Sequence, residues 1–396
     1  MFDDAWRMMR DYFYDRDLHK VDWAAIRLQY QPLLARVTDR YELDDLLGQM
    51  VGELSALHTF VYGGDKRTAT DRIQTGLLGA KLSKTAEGIR IDHIYKSDPD
   101  FSFSSPLNKP ELRIKEGDII TAVNNSPLQG VTDIGELLAN KVNIPVKLNL
   151  TDKNGKAFEQ IVKPFSAQDA YFLRYNEWEY TTRQKVDSAS NNDIGYIHLK
   201  AMGGGDMDDF VKQFYPVFNR KGLILDVRQN FGGNIDSWVL EKLLRKAWMY
   251  WQSRYGGPVW NMPYAFMGHI VLLCDQQTAS DGEAVSEGFR RLGLGKIIGM
   301  RTWGGEIWLS SDNRMVDNGI ASAAEMGVYG PEGKWLIEGR GVEPDIKVDN
   351  LPYETFKGKD AQLDAAIAEL KKEIKEQPVI VPKAPLHPDK SFKYQK

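Results

Sequence analysis

A chain of 396 residues is long for one hydrophobic core, so two or three domains are expected. Hydrophobic residues make up 42%, enough to bury a substantial core, and 51 basic against 55 acidic residues leave a net charge of -4. That balance gives no long-range pull toward nucleic acid or anionic lipid, and no stretch approaches the ~18 apolar residues of a membrane span. The single cysteine, Cys274, excludes an internal disulfide and a cysteine-rich metal site; lying in the run Ile270-Val271-Leu272-Leu273-Cys274, it is expected in the core. A disulfide-free chain suits the cytoplasm and is tolerated in the periplasm. The first residues, Met1-Phe2-Asp3-Asp4-Ala5-Trp6-Arg7, do not resemble a signal peptide and start inside a helical pattern. A longer natural chain is therefore expected, whose preceding part could carry a targeting signal and further domains.

Residues 1–73 read as helical. Trp6, Met9, Tyr12 and Phe13 recur at helical spacing, as do Trp23, Ile26, Tyr30 and Leu33. Leu43, Leu46, Leu47, Met50, Leu54 and Leu57 predict one apolar stripe over four turns. The glycines of Tyr62-Gly63-Gly64-Asp65 stop it, which puts His58 at or just beyond the end of a long helix.

Residues 74–165 change texture to short β-type runs with turn punctuation. Gly76-Leu77-Leu78-Gly79-Ala80 opens the region, Gly88 to Ile94 follows, then Gly117-Asp118-Ile119-Ile120-Thr121-Ala122-Val123-Asn124. A helical turn is expected at Asp133 to Leu138, and alternation from Val146 to Leu150 closes the unit. The order resembles a PDZ domain, whose Gly-Leu-Gly-type loop corresponds to Gly76, Leu77, Leu78 and Gly79. That resemblance implies a site for a peptide terminus added as a strand. A packing module that binds nothing is the alternative.

Residues 166–376 alternate apolar runs, at 194–197, 223–225, 270–273 and 297–298, with helical stretches near 206–219, 234–249 and 281–292. This pattern predicts parallel strands with crossover helices. Leu363, Ala366, Ile367, Leu370 and Ile374 form a last amphipathic helix, and the Pro- and Lys-rich residues 377–396 read as a loose tail.

Two strand-to-helix junctions stand out. In Leu223-Ile224-Leu225-Asp226-Val227-Arg228-Gln229-Asn230-Phe231-Gly232-Gly233-Asn234, paired glycines let backbone amides approach an anion at a helix start. No Gly-Lys-Ser/Thr follows, which excludes a P-loop; a tight turn without a ligand is the plain alternative. In the second, Ile270 to Asp275 leads into Thr278-Ala279-Ser280-Asp281-Gly282-Glu283. Ser280 with Glu283 reads as a capping box, and the same place suits a nucleophile whose oxyanion meets helix amides. Both junctions belong at the carboxyl ends of parallel strands, where ligands collect. Of the six histidines, His387 lies in the tail and His19 in a polar connection, while His93, His198 and His269 occupy strand positions. His58 alone stands beside a glycine turn at a helix end.

Ordered blocks extend the resemblance. The segments "DDAWRMMRDYFYDRDLHKVDW" (3–23), "ELSALHTFVYGGD" (53–65), "LILDVRQNFGGN" (223–234), "TASDGEAVSEGFRRLGLGKIIGMRTWGG" (278–305) and "WLIEGRGVEPDI" (335–346) are similar to the C-terminal half of tricorn core proteases, relatives of the tail-specific peptidases. The resemblance implies an α/β multidomain chain: helical subdomain, PDZ-like domain and crotonase-like α/β catalytic domain. It implies Ser280 as nucleophile, His58 as general base and Glu338 in the polar relay. The oxyanion would be held by the amide of Asp281 and that of Gly232 or Gly233. Metal and organic cofactor are not implied. Peptides are the expected substrates, a homo-oligomer (a hexamer) the expected assembly, and β-propeller domains the expected neighbours ahead of this region.

One position departs from that pattern: a serine is expected before the base, and here stands Leu57, which orients no imidazole. It continues the helical stripe in phase and so is expected to pack. Gly305 stands where tail-specific relatives carry a lysine base, which favours histidine as the base. Besides a slow peptidase, two readings stay open: a non-catalytic peptide-binding scaffold on a protease fold, and esterase or amidase chemistry.

Overall fold

The computed structural model describes residues 1–67, 69, 71–100, 103–309 and 313–392. It divides into two compact units, one made of 1–67 with 186–396 and one of 68–185. The helical N-terminal region thus shares a unit with most of the α/β region, and the expected boundary at 165/166 falls inside the middle unit.

The first unit opens with α1 (Phe2–Tyr12), α2 (Trp23–Tyr30) and α3 (Arg40–Gly52). Asp39 caps α3 by accepting the N–H groups of Tyr41 and Glu42. Leu43, Leu46, Leu47 and Met50 join Phe2, Ala5, Met9 and Trp23 in one core, which Ile307, Met315 and Ala321 complete. The expected stripe to Leu57 is corrected here: α3 ends at Gly52. Glu53, Leu54 and Ser55 donate three residues back, to Met50, Val51 and Gly52, which tightens the last turn and ends it. Leu54 stays buried, so the apolar spacing outlasts the helix. Leu57 and His58 lie beyond it in a turn, followed by β1 (Val61–Tyr62).

The 68–185 unit holds an antiparallel sheet of β2 (Ala80–Lys84), β3 (Ile89–Ile94), β4 (Ile119–Val123), β5 (Ser126–Pro127), β6 (Val146–Thr151) and β7 (Ala157–Val162). Its order is β2-β3-β4-β6-β7, with β5 on β4. β7 lies beyond the expected close at Leu150 and pairs with β6 along its whole length. The turn expected over 133–138 is a short 3-10 segment, Ile134–Glu136, capped by Asp133. The helix α4 (Ala167–Ser190) follows.

The α/β part resumes with β8 (Ile194–His198), α5 (Gly204–Phe214), β9 (Gly222–Asp226) and α6 (Asp236–Leu244). The helix expected to reach 249 stops at Leu244, where Arg245 turns extended, and a hairpin follows: β10 (Met249–Trp251) with β11 (Val259–Asn261). Then come β12 (His269–Cys274), α7 (Asp281–Arg291), β13 (Gly295–Gly299), β14 (Ile320–Ala321), β15 (Ile346–Lys347), α8 (Pro352–Phe356) and α9 (Ala361–Glu376). The sheet runs β15-β13-β12-β9-β8, all parallel. Period-two alternation sends Leu223, Leu225 and Leu272 into a core with Phe210, Val239 and Phe289 from the helices. Ile224, Val271 and Leu273 face the other way, onto Leu363, Ala366 and Leu370 of α9. Such two-sided burial explains why these strands read as continuous apolar runs.

Candidate active site

β9 and β12 are neighbours in parallel register, Leu225 opposite Leu272, so their carboxyl ends emerge side by side. The two glycine- and serine-bearing turns that follow are stitched together. Thr278 Oγ donates to the Val227 carbonyl at 2.8 Å, Ala279 N–H to the Asn230 carbonyl at 2.7 Å, and Gln229 N–H to Asp275 Oδ1 at 2.9 Å. Asn230 is fully buried: its Nδ2 donates to Leu199 O and its Oδ1 accepts Gly232 N–H.

Ser280 sits directly before α7 with φ 54° and ψ -128°, a conformation unfavourable for any residue with a Cβ. Glu283 Oε2 accepts the Ser280 N–H at 3.2 Å, the backbone half of the capping box, while the Ser280 hydroxyl makes no cap bond. The neighbouring turn presses on it. A Cβ added at Gly232, where φ is +90°, would meet Ser280 Cβ at 2.5 Å and Oγ at 2.9 Å, so only glycine fits.

Among the described residues the N–H groups of Asp281 and Gly233 donate to nothing, whereas that of Gly232 is taken by Asn230. The Asp281 side chain ties the two helix starts together. Its Oδ2 accepts Ile235 N–H at 2.6 Å and Asp236 N–H at 3.1 Å, while burial and the Asp236 charge push its carboxyl up to about 7. Glu283, completely buried, also accepts the Gly304 N–H at 2.7 Å, the Gly305 N–H at 2.8 Å and the Thr302 hydroxyl. Its burial nevertheless raises its pKa. The residue that caps α7 thus also fixes the loop after β13.

That loop reaches His58. Trp303, whose N–H donates to Thr278 O, sets its ring edge-on to the imidazole at 5.6 Å, as Phe60 does at the same distance. His58 is buried and has φ +63°. Ser322 Oγ holds its turn, donating to His58 O at 3.0 Å and accepting Phe60 N–H at 2.8 Å. Glu338, half-buried rather than a surface carboxylate, bridges the neighbouring chain: Oε1 accepts Leu57 N–H at 2.9 Å and Oε2 accepts Glu306 N–H at 2.8 Å. Leu57 therefore meets Glu338 through its backbone. Burial lowers the His58 pKa, against the Glu338 charge and the Ile307 carbonyl, so the ring is neutral near pH 7. Among the described residues no hydrogen bond joins His58 to Ser280, and His58 Nδ1 is buried without a partner.

Positive φ thus marks Ser280, His58 and Ile337, the residue before Glu338. Left-handed backbone at serine, histidine and β-branched isoleucine is costly and collects at functional sites. The sequence alone did not single out Asn230, Thr278, Trp303, Glu306 or Ser322. A carboxylate ahead of Ile307-Trp308-Leu309 was the one available signal, for Glu306. The four PDZ-loop residues lie in the other unit. There Gly76, Leu77, Leu78 and Gly79 line a cavity of about 600 Å³ beside the open edge of β2. His19 bonds Tyr14 and the Leu54 carbonyl, and His198 the Arg228 carbonyl, as structural histidines do.

The comparisons with known proteins agree with this layout. Residues 1–52 match the tricorn protease C1 domain, 76–167 the tricorn protease PDZ domain and 193–348 peptidase family S41. The tricorn protease homolog 1 of Streptomyces coelicolor is 34% identical over 96% of this chain and 36% of its own length. The tricorn protease homolog of Saccharolobus solfataricus is 32% identical over 93% of this chain and 34% of its own. The chain thus spans about a third of the length of these relatives. A crystal structure of the tricorn protease superposes with a TM-score of 0.88 at 28% identity, covering 95% of this chain and 36% of that one. No helix among the described residues is long and apolar enough to cross a membrane. With three family domains in tricorn order and one matching fold, the chain belongs to the tricorn protease family of S41 serine peptidases.

Proposed function

We propose that this chain hydrolyses peptide bonds through an acyl-enzyme formed on Ser280. His58 Nε2 takes the Ser280 proton as Oγ attacks the carbonyl carbon. The oxyanion is received by the Asp281 N–H, at the positive end of α7, and by the Gly233 N–H, the freer of the two glycine amides. His58 then gives its proton to the leaving amine, and water releases the acyl group. Glu338 acts through the backbone it holds on either side of the base. The observation that carries this reading is the left-handed Ser280, uncapped by its own hydroxyl and pressed against Gly232, with a free amide next in sequence. A fluorophosphonate should label Ser280 in the intact chain; labelling that persists in Ser280→Ala would sink the assignment. Parallel assays on small esters separate esterase chemistry from peptidase chemistry.

A peptide-binding role for the 68–185 unit is supported by its groove. Beside the open edge of β2, the N–H groups of Leu78 and Gly79 have no partner among the described residues, as a terminal carboxylate needs. Peptide affinity without turnover would favour the scaffold reading. The exposed Trp238, Trp248, Trp251 and Tyr255 support burial in a homo-oligomer, a hexamer by resemblance. The relatives' greater length leaves room for the β-propeller domains that the resemblance implies, and a chain with a single cysteine is compatible with a cytoplasmic site of action.

A further inference from the structure

The cavity beside β2 carries more than an apolar groove needs. Leu78, Ile134 and Leu138, all buried, line it together with the rest of the 76–79 loop, so part of its wall suits an apolar side chain. The loop is braced from behind. Ser105, fully buried, donates its hydroxyl to the Leu78 carbonyl at 3.1 Å and accepts the Leu107 N–H at 3.1 Å. In a trans peptide the carbonyl and the following N–H point opposite ways, so that bond turns the Gly79 N–H away from the interior. Gly79 has φ +65°, and a Cβ there would meet Ser105 Oγ at 2.8 Å and the Phe165 ring at 2.9 Å, so only glycine closes this turn. With the Leu78 N–H, also without a partner among the described residues, the loop offers two amides to one acceptor.

Arg174 is the one cation among the described residues that line this cavity. It stands on α4, and the chain just ahead of that helix is tied to the loop. Phe165 and Leu77 exchange both backbone hydrogen bonds, at 2.9 and 3.0 Å, and Phe165 packs with Ala170, one turn before Arg174. Arg174 Nε donates to the Ala170 carbonyl at 3.3 Å; its two terminal nitrogens have neither hydrogen bond nor ion pair among the described residues. Such a guanidinium keeps the planar fork that fits a carboxylate. The two acids on the lining are taken up by their own capping box. Asp133 Oδ1 accepts the Gly135 N–H at 2.7 Å, and Glu136 Oε1 accepts the Asp133 N–H at 3.3 Å. Their charge opposes an acidic side chain in the cavity, which leaves an apolar one favoured.

We propose that Arg174 reads the free carboxyl end of a bound peptide. The terminal carboxylate takes the N–H groups of Leu78 and Gly79 and a charge-assisted bond from Arg174, while the last side chain lies among Leu78, Ile134 and Leu138. The ligand class is therefore peptides with an unblocked end and an apolar last residue. The inference rests on the peptide-binding reading of the 68–185 unit and is independent of the chemistry at Ser280.

The test uses the full chain carrying Ser280→Ala, so that the probe is not consumed. The probe is a fluorescein-labelled octapeptide ending in leucine, as the free acid and as the C-terminal amide. Fluorescence anisotropy should give a Kd for the acid about 10-fold below that for the amide. Arg174→Ala should raise the Kd of the acid about fivefold to tenfold and leave that of the amide within about twofold. Arg174→Lys, which keeps the charge without the fork, should recover part of the preference. The amide's affinity reports whether the groove is intact, so a merely structural role for Arg174 would weaken both probes alike. A parent that prefers the acid, with the same acid-to-amide ratio in Arg174→Ala, would overturn the role of Arg174 and leave the peptide-binding reading standing. Acid and amide bound alike by the parent, or neither bound, would overturn both. If the alanine variant fails to fold, Arg174→Met, which keeps the apolar stem, gives the same readout.

Discussion

The turn that carries Ser280 and the turn that carries His58 are held by unequal amounts of structure. Around the serine, Thr278, Asn230, Asp281 and Glu283 each bond two or more backbone groups, and every one of them is buried. Around the histidine, Glu338 and Ser322 fix the main chain, while the imidazole is steadied by two aromatic edges and leaves Nδ1 unpaired. The serine half, proposed to carry the nucleophile and oxyanion donors, is preorganised, and the half proposed to carry the base is the softer one. On the proposed peptidase reading such a division would give a slow enzyme, because oxyanion stabilisation is kept while proton transfer waits on the ring.

The largest break in that contrast comes from Gly232→Ala. Its added Cβ falls on Ser280, and φ +90° adds strain, so kcat should drop by about 100-fold or more in single-turnover assays. Next, Glu283→Ala strips the acceptor from two buried N–H groups and the Thr302 hydroxyl. It should destabilise by about 3 kcal/mol in urea unfolding, whereas Glu338→Ala, at a half-buried carboxylate, should cost less.

A pH profile sharpens the comparison further. Because burial lowers the His58 pKa, kcat/KM should rise with pH through a value below the usual ~6.5 and be flat by neutrality. A midpoint above that value would mean the ring is not buried as described. A last effect is on stability. Glu306 binds its proton more tightly folded than unfolded, so the folded state holds more protons between its usual ~4.5 and about 9. Stability should be fullest below that window and fall as pH rises through it, and Glu306→Gln should flatten the slope of Tm against pH.

The same contrast explains what could be read from sequence. Strand-to-helix junctions are local: apolar runs ending in Gly232-Gly233 and in Ser280-Asp281-Gly282 announce both turns within a dozen residues. Glu283 was legible as a cap, but its hold on Gly304 and Gly305 was not, since that depends on where β13 lies. The end of α3 was misplaced because Leu54 keeps the helical spacing while its backbone is already turning. Glu306 went unnoticed for a similar reason. What keeps it un-ionised comes from residues 236, 281 and 283, which only the folded chain brings near. The PDZ-like sheet was recognisable from its glycine loop, whereas β7 adds a strand that the alternation in Val146 to Leu150 did not foretell.

The backbone at Ser280 has an implication for engineering this protein. A side chain held at φ 54° and ψ -128° costs about 1–3 kcal/mol that glycine would not. A screen that rewards heat resistance alone should therefore drift toward Ser280→Gly, gaining melting temperature while discarding the hydroxyl proposed as the nucleophile. At this one position, robustness and reactivity pull in opposite directions.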